Sequence, residues 1–436
     1  MLHSKCLSGL KKTKIFSGDY MANYYQDFDA SVPSFSRHEL QSVENFEADL
    51  KILARQWVLL DHISSFSAVG DYKVFQLAGE SVVIVRNEQG FSGFLNFCLH
   101  RGAKLCNKSH GRQSAFTCPY HAWRYDLTGV LQQATACTSK RITVGESRLK
   151  EVSVRVEAGL IFASLQAEHS TFSASAELFA PFLAWHNTSA AKIAGSKRFV
   201  AKGNWKLFAD NFFECYHCRV LHPEMCELAV HPKITSTISA VQHEQYMAVA
   251  QDWYEKVAAL GHPVGERQSL MPEQEHFSVM YRVPVDSVSL TLSKTGQLVA
   301  PLMGQAKVAD GGETFGYLGP LTLLNIYNDY GYSLRLNPIS VDETELILTW
   351  FVAGDAVEGK DYQFAEVSWF WLTTVQQDLE IIELARQGTS SRFYQPGDYT
   401  MLEADSAGFA SWYRRQLQQQ NQIKVPDLVG LAAVNI

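Results

Sequence analysis

No stretch of 18 apolar residues runs anywhere through this 436-residue chain, so a membrane-spanning helix is not expected. A basic excess is missing as well. With 38 Lys and Arg against 45 Asp and Glu, the formal net charge is −7, which argues against nucleic acid as the main partner. The opening "MLHSKCLSGLKKTKIF" has no apolar core followed by a cleavage site, so no secretion signal is read, and "KKTK" reads as a solvated tail. Met21 stands as a second candidate start. Eight cysteines are too few for a disulfide scaffold, and the expectation is a cytoplasmic protein. In that compartment clustered Cys and His point to metal or catalysis rather than to bridges. No Gly-rich nucleotide loop of either common type, internal repeat or low-complexity linker is present.

What is present is ordinary in bulk: 46% hydrophobic and 19% charged residues describe a globular chain, long enough for two domains or one domain with an insertion. Residues 52–165 read as β. "ESVVIVRNEQGFSGFLNFC" is an apolar run, a turn at Asn87–Gly90 and a second strand reaching Cys98. "SAFTCPYHAWRYDLTGVL" repeats the theme with a turn around Asp126–Gly129, and "GLIFASL" closes the segment. Beyond residue 200, helical stretches mix with strands such as "TLLNIYN" and "ELILTWFVAG".

Two groups of residues carry chemistry. The first is Cys98 and His100, then seventeen residues, then Cys118 and His121. Each pair falls at a strand end, where a tight loop can aim two side chains at one point. Two Cys and two His also make a structural zinc set, but zinc sites usually pair Cys with Cys and His with His. One Cys and one His from each loop suits a two-iron cluster in which one iron takes both thiolates and the other both imidazoles. Neutral histidines lower the negative charge and raise the potential. "CLHRGAKLC" and "CPYHAWRYDLTGVL" resemble the Rieske iron–sulfur motif in the version found in Rieske non-haem iron oxygenases. Cys106, Tyr120 and Trp123 read as packing around it.

The second group lies in "NFFECYHCRVLHPEMC". Cys215, Cys218, His222 and Cys226 alone read as a zinc knuckle, and Cys215 or Cys218 beside His217 reads as a thiol nucleophile with its base. Against both, "GNWKLFADNFFECYHC" reads as one helix with Asn204 as N-cap, putting Glu214 and His217 on one face. Pro223 biases His222 out of the α region, so the chain can turn back toward His217. A third ligand comes from the helix around 361–388. There Phe364, Val367, Trp371, Val375, Ile382 and Ala385 form an apolar stripe that includes Asp378 but not Glu380 or Glu383. A carboxylate on a core-facing stripe is costly unless it meets a cation or a hydrogen-bonded partner, such as an Arg. His217, His222 and Asp378 would make the two-histidine, one-carboxylate triad of Fe(II) oxygenases.

Across residues 30–415 the chain resembles Rieske oxygenase catalytic subunits: "NWK" at 204–206, E-x2-H-x4-H at 214–222, D-x4-E at 378–383, and a last helix with Trp412. The resemblance implies an α+β fold, an all-β Rieske [2Fe-2S] domain (52–165) inserted in a helix-grip-like catalytic domain. That domain is built from residues 1–51 and 166–436, with a mostly antiparallel sheet and flanking helices. It implies a [2Fe-2S] cluster and a mononuclear Fe(II), O2 as co-substrate, and a head-to-tail homotrimer in which Glu214 links one subunit's cluster to the next subunit's iron. With no nucleotide loop in the chain, electrons would come from a separate NAD(P)H-dependent reductase or ferredoxin. Many ring-dihydroxylating members have Asp where this chain has Glu214, and "ECYHC…HPE" is similar instead to the glycine betaine and carnitine monooxygenase branch. The substrate expected is then a quaternary ammonium compound held by aromatic faces through cation–π attraction, with Phe212, Phe213, Tyr216, Trp369 and Trp371 as candidate walls. Cys215, Cys218 and Cys226 become packing residues. An aromatic substrate, dihydroxylated or O-demethylated, is the second oxygenase reading, and a zinc-stabilised interaction module is the distant one.

Overall fold

In the computed structural model, residues 11–13, 31–138, 140–166, 172–230, 239–264, 267–270 and 278–422 are described. The apolar run in "ESVVIVRN" becomes a strand, Glu80–Asn87, with four consecutive buried residues, Val82 to Val85. Such a run is covered on both faces. It is the fifth strand of a seven-stranded antiparallel sheet in the order Val58–His62, Leu160–Ser164, Glu151–Glu157, Gly90–Leu95, Glu80–Asn87, Asp71–Leu77 and His110–Arg112. The turn between two neighbours needs Gly90, whose φ of +123° suits glycine. A three-stranded sheet, Phe116–Thr117, Arg124–Tyr125 and Leu131–Gln133, lies alongside in sequence. The strand read as reaching Cys98 stops at Leu95. There Asn96 turns inward and clamps the loop: its side chain accepts from Cys106 N at 2.8 Å and donates to Cys106 O at 3.0 Å.

The larger body is built on an eight-stranded sheet. Its order is Lys11–Thr13, Arg267–Leu270, Ser278–Pro284, Gly312–Leu318, Thr322–Ile326, Tyr330–Ser340, Glu343–Ala353 and Ala191–Lys202. Every ladder among the described strands is antiparallel. The long helix Phe364–Thr389 packs against this sheet. Trp371 stacks on Tyr332 of the sheet with centroids 4.6 Å apart and planes 6° apart. A Cβ at Gly195 would come within 2.5 Å of the Phe364 ring, so only glycine admits so close an approach. The stripe on that helix holds for Val367, Trp371, Val375, Asp378 and Ile382, which are buried. It fails at Ala385, which is exposed because the last turns leave the core: Leu384 is exposed too, and Arg386 pairs with Asp342 and Glu383. The fold is thus α+β, an all-β unit between two parts of an α+β catalytic body. No described helix is long and apolar enough to cross a membrane.

"NWK" acquires a physical meaning here. The Asn204 side chain accepts from Lys206 N at 3.1 Å and caps the helix Trp205–Phe212. The next two residues both reach the carboxylate of Asp49, which is wholly buried on the helix Val43–Leu53. Trp205 Nε1 donates to it at 2.9 Å, Lys206 pairs with it, and Tyr413 of the last helix donates at 2.6 Å. Burial works against the Lys206 charge and the Asp49 carboxylate sustains it. One charge pair therefore joins the N-terminal helix, the helix that leads into the metal loop, and the C-terminal helix. Removing one partner of such a pair leaves an uncompensated buried charge. Asp49→Asn should destabilise the protein by about 3–5 kcal/mol, read as a fall in the thermal midpoint. The double variant Asp49→Asn, Lys206→Met should recover part of that loss, and a D49N midpoint equal to wild type would contradict the account.

Candidate functional site

Two short loops present the first group, and they are built alike. In one, Cys98 N donates to Ala103 O at 2.9 Å and Gly102 N donates to Cys98 O at 3.0 Å. In the other, Cys118 N donates to Trp123 O at 2.7 Å and Ala122 N donates to Cys118 O at 3.0 Å. Gly102 and Ala122 occupy the same place in the two loops, and both have left-handed φ, +70° and +57°. The closure turns both thiols inward and both imidazoles outward. Cys98 and Cys118 are buried, whereas His100 and His121 are exposed with their Nδ1 atoms 3.1 Å apart. Each ring rests on an aromatic, His100 on Trp123 at 4.7 Å and His121 on Tyr120 at 3.9 Å. The phenol beside the sulfur is Tyr125, 3.2 Å from Cys98 Sγ. Burial pushes the Cys98 thiol up, so it ionises only in company with a cation. Two thiols side by side below two facing imidazoles fit a cluster with one thiolate-held and one imidazole-held iron. Cys106 stands outside this set, its thiol pushed up to about 12 by burial.

The second group departs from the single helix that the sequence suggests. That helix ends at Phe212; Glu214 to His217 form a turn, and Cys218–Leu221 a short helix. The Glu214 carboxylate makes the turn by accepting from the backbone N of both Tyr216 and His217. His222 has φ −118° and ψ 72°, outside the α region, with Pro223 opening the next helix. Reversal of the chain brings the two imidazoles within 5.2 Å, nearly perpendicular, and Asp378 meets them from the long helix. Its Oδ1 lies 3.3 Å from His217 Nε2 and 3.1 Å from His222 Nε2.

Hydrogen bonds on the far sides of the rings say what can lie between them. Gln377 Nε2 donates to the Glu224 carboxylate at 3.0 Å, which can only accept, so the amide oxygen faces His222 Nδ1 at 2.8 Å. Nδ1 of His222 therefore carries the proton, and its Nε2 is a bare lone pair. His217 Nδ1 donates to Glu214 Oε1 in the same way. Two lone pairs and the buried Asp378 Oδ1, which has no hydrogen bond of acceptable geometry among the described residues, converge on one point. Three acceptors facing each other fit a metal ion, and orientation of ligand histidines by outer acceptors is the usual arrangement. Burial opposes a charge on His217, yet Asp378 and Glu214 raise its pKa to about 10, so the Nε2 lone pair is freed when a cation displaces the proton held toward Asp378. Cys218 Sγ also lies within 4.8 Å of the two histidine nitrogens. It is bonded to Cys215, however, and offers no thiolate. That disulfide corrects the reading of Cys215 and Cys218 as free packing residues, and it removes both the zinc knuckle and the thiol nucleophile. Cys226 is free.

His217, His222 and Asp378 open on a cavity. Phe212, Phe213 and Trp371 line it as the sequence suggests. Tyr216 and Trp369 do not: Tyr216 points outward, 42% exposed, because the helix break rotates it away, and Trp369 sits on another face of its helix. Tyr281, Glu313, Phe315, Tyr317, Leu323 and Asn325 were not foreseen. The signal was present as alternation in "GETFGYL", which puts Glu313, Phe315 and Tyr317 on one face of a strand.

A two-iron cluster site and a two-histidine, one-carboxylate site in one chain define an O2-using oxidoreductase that carries a [2Fe-2S] cluster and a mononuclear iron. Comparison with known proteins agrees. Residues 185–419 match the ring hydroxylating alpha subunit catalytic domain and residues 56–152 the Rieske [2Fe-2S] domain, so the chain belongs to the ring-hydroxylating alpha-subunit family of Rieske oxygenases. It is 26% identical to the glycine betaine monooxygenase oxygenase subunit of Chromohalobacter salexigens over 386 residues, 87% of this chain and 84% of that one. Among solved structures it is similar to the quaternary ammonium Rieske monooxygenase CntA in complex with L-carnitine, with a TM-score of 0.63, 20% identity, and coverage of 92% and 97%. It is equally similar to naphthalene 1,2-dioxygenase from Rhodococcus sp. bound to indole, with a TM-score of 0.63, 18% identity, and coverage of 93% and 99%. Like its family, the chain takes electrons from a separate reductase and acts on a small molecule.

If Gln377 sets the His222 tautomer, Gln377→Leu should weaken Fe(II) binding about 10- to 100-fold while leaving the visible absorbance of the [2Fe-2S] cluster intact. Iron titration under anaerobic conditions reads this directly, and unchanged Fe(II) affinity would remove Gln377 from the site.

Proposed function

We propose that this chain is the terminal oxygenase that hydroxylates an N-methyl group, or a neighbouring carbon, of a quaternary ammonium compound such as glycine betaine. The carrying observation is a cavity beside His217, His222 and Asp378 walled by Phe212, Phe213, Tyr281, Phe315, Tyr317 and Trp371. A quaternary nitrogen cannot donate hydrogen bonds and is held by aromatic faces. The Chromohalobacter relative supports the same substrate class. In this reading Cys98, His100, Cys118 and His121 hold the cluster, and His217, His222 and Asp378 hold the iron. When bound, the two centres supply electron delivery and dioxygen activation.

The residues of the chain do the rest. Aromatic walls exclude water and fix the cation so that one methyl group faces the triad. The reaction balances as one O2, two electrons and two protons added to the substrate, giving water and an N-hydroxymethyl product. That product loses formaldehyde and a proton to leave the demethylated amine. Glu214, holding His217 through Nδ1, is the residue at which a proton or a contact from a neighbouring subunit of a homotrimer would act.

With a surrogate reductase or ferredoxin supplied with NAD(P)H, glycine betaine should drive O2 uptake and release one formaldehyde per O2 consumed. Turnover of methoxyaromatics or formation of a cis-diol, without turnover of quaternary amines, would favour the aromatic reading instead. Glu214→Gln retains an acceptor for His217 Nδ1 but loses the charge. It should keep both metal centres, measured as iron and acid-labile sulfide per chain, and lower turnover at least about 100-fold, the size of a proton-transfer contribution. Wild-type turnover in E214Q would leave Glu214 a purely positioning role.

A further inference from the structure

The cavity contains a charge that metal binding does not use. Glu313 is 6% exposed and lines the same space as His217, His222 and Asp378. One of its oxygens, Oε1, accepts from Asn325 Nδ2 at 2.5 Å and from Tyr327 OH at 2.7 Å. Both donors are completely buried, so the carboxylate is held in one orientation. The other oxygen, Oε2, has no hydrogen-bond partner among the described residues, and none of the described residues lining the cavity is Lys or Arg. Arg282 lies close in sequence register but on the opposite face of the strand, where a Cβ at Gly312 would meet it. There its Nη2 donates to Asp310 at 2.8 and 2.9 Å and its Nη1 to Pro263 O at 3.2 Å, between Trp185 and Trp253.

Burying a carboxylate without a cation is costly, and burial accordingly holds the Glu313 carboxyl above its ordinary range. Glutamine would satisfy Asn325 and Tyr327 with no charge at all. Alternation along the strand puts Phe315 and Tyr317 beside Glu313 on the cavity face, and Tyr281 stacks on Phe315 at 4.8 Å from the neighbouring strand. An acidic oxygen in a cavity lined by Tyr281, Phe315 and Tyr317 is an environment suited to an organic cation.

We infer that Glu313 is the counter-ion for the substrate's cationic nitrogen and the residue that selects a quaternary ammonium over an uncharged molecule of the same shape. The inference rests on the quaternary ammonium reading and deepens it. It makes recognition depend on charge at a named atom, Oε2, rather than on aromatic walls alone.

The test compares an isosteric pair that differs only in the charge at its central atom, together with a second cation that lacks the carboxylate. Glycine betaine, its carbon isostere 3,3-dimethylbutanoate, and tetramethylammonium are titrated calorimetrically into the anaerobic holoenzyme and into Glu313→Gln. Wild type should bind both cations at least about ten-fold more tightly than the isostere. E313Q should lose about ten-fold or more for both cations and nothing for the isostere, with its cluster absorbance unchanged. An E313Q variant that keeps the wild-type preference for cations overturns the assignment to Glu313 and leaves the quaternary ammonium reading standing. Wild type that binds neither cation and releases no formaldehyde overturns both. If E313Q does not retain its cluster, Glu313→Asp carries the test. It keeps the charge but withdraws it by one methylene, so cation affinity should fall while isostere affinity holds; wild-type affinities for all three ligands would overturn the inference.

Discussion

Three lone pairs aimed at one point repel each other, and the catalytic half of this protein is arranged to hold them there. Nε2 of His217, Nε2 of His222 and Oδ1 of Asp378 face a common position, held together without a cation only by the proton that Asp378 and Glu214 keep on His217. That arrangement is unfavourable until a cation joins it, so every ligand needs an outside restraint. Glu214 restrains His217, the Glu224–Gln377 relay restrains His222, and the packed helix restrains Asp378. Glu224 and Gln377 touch nothing reactive, yet they decide which nitrogen of His222 is bare. The Asp49–Lys206 pair acts one layer further out, anchoring the helix from which the ligand loop departs.

The cluster site solves a related problem by division. Both loops use the same two closing hydrogen bonds, so each turns its Cys inward and its His outward. Soft, charged ligands stay in low dielectric and neutral ligands reach solvent. A cluster held there would have an exposed imidazole edge on one side and buried sulfurs on the other. Trp123 and Tyr120 limit rotation of the two exposed rings, which solvent contact alone would leave loose.

Sequence made much of this legible where the constraint is local. C-x-H and C-x2-H fall in loops because their spacing fits a tight closure, and Asp378 betrayed itself as an acid on a buried stripe. Pro223 gave away the turn at His222. The helix break after Phe212 was not legible, because "NFFECYHC" has no Gly or Pro and its break comes from Glu214 accepting backbone protons. Tyr216 is a candidate wall by its nearness to the ligands in sequence, and the same turn puts it at the surface instead. The Cys215–Cys218 bond was missed because a cytoplasmic chain was expected to keep its thiols free. Glu313 was passed over for a different reason. A period of two marks which side of a strand it faces, but only the assembled sheet shows that this side is a cavity rather than packed core.

Aromatic walls do not by themselves separate a quaternary ammonium from a neutral ring, since stacking serves one and cation–π attraction the other. A buried carboxylate does separate them. Filling the cavity with a neutral ring would strip water from Glu313 and return no compensating charge, so its desolvation counts against that ligand. A methylated nitrogen spreads its positive charge over its methyl groups, needs no donor geometry, and can face the aromatic rings and Oε2 together. The same group that penalises the neutral ligand therefore favours the charged one. Discrimination by charge in this way needs one orientation of the carboxylate, and Asn325 and Tyr327 supply it by both donating to the same oxygen, Oε1.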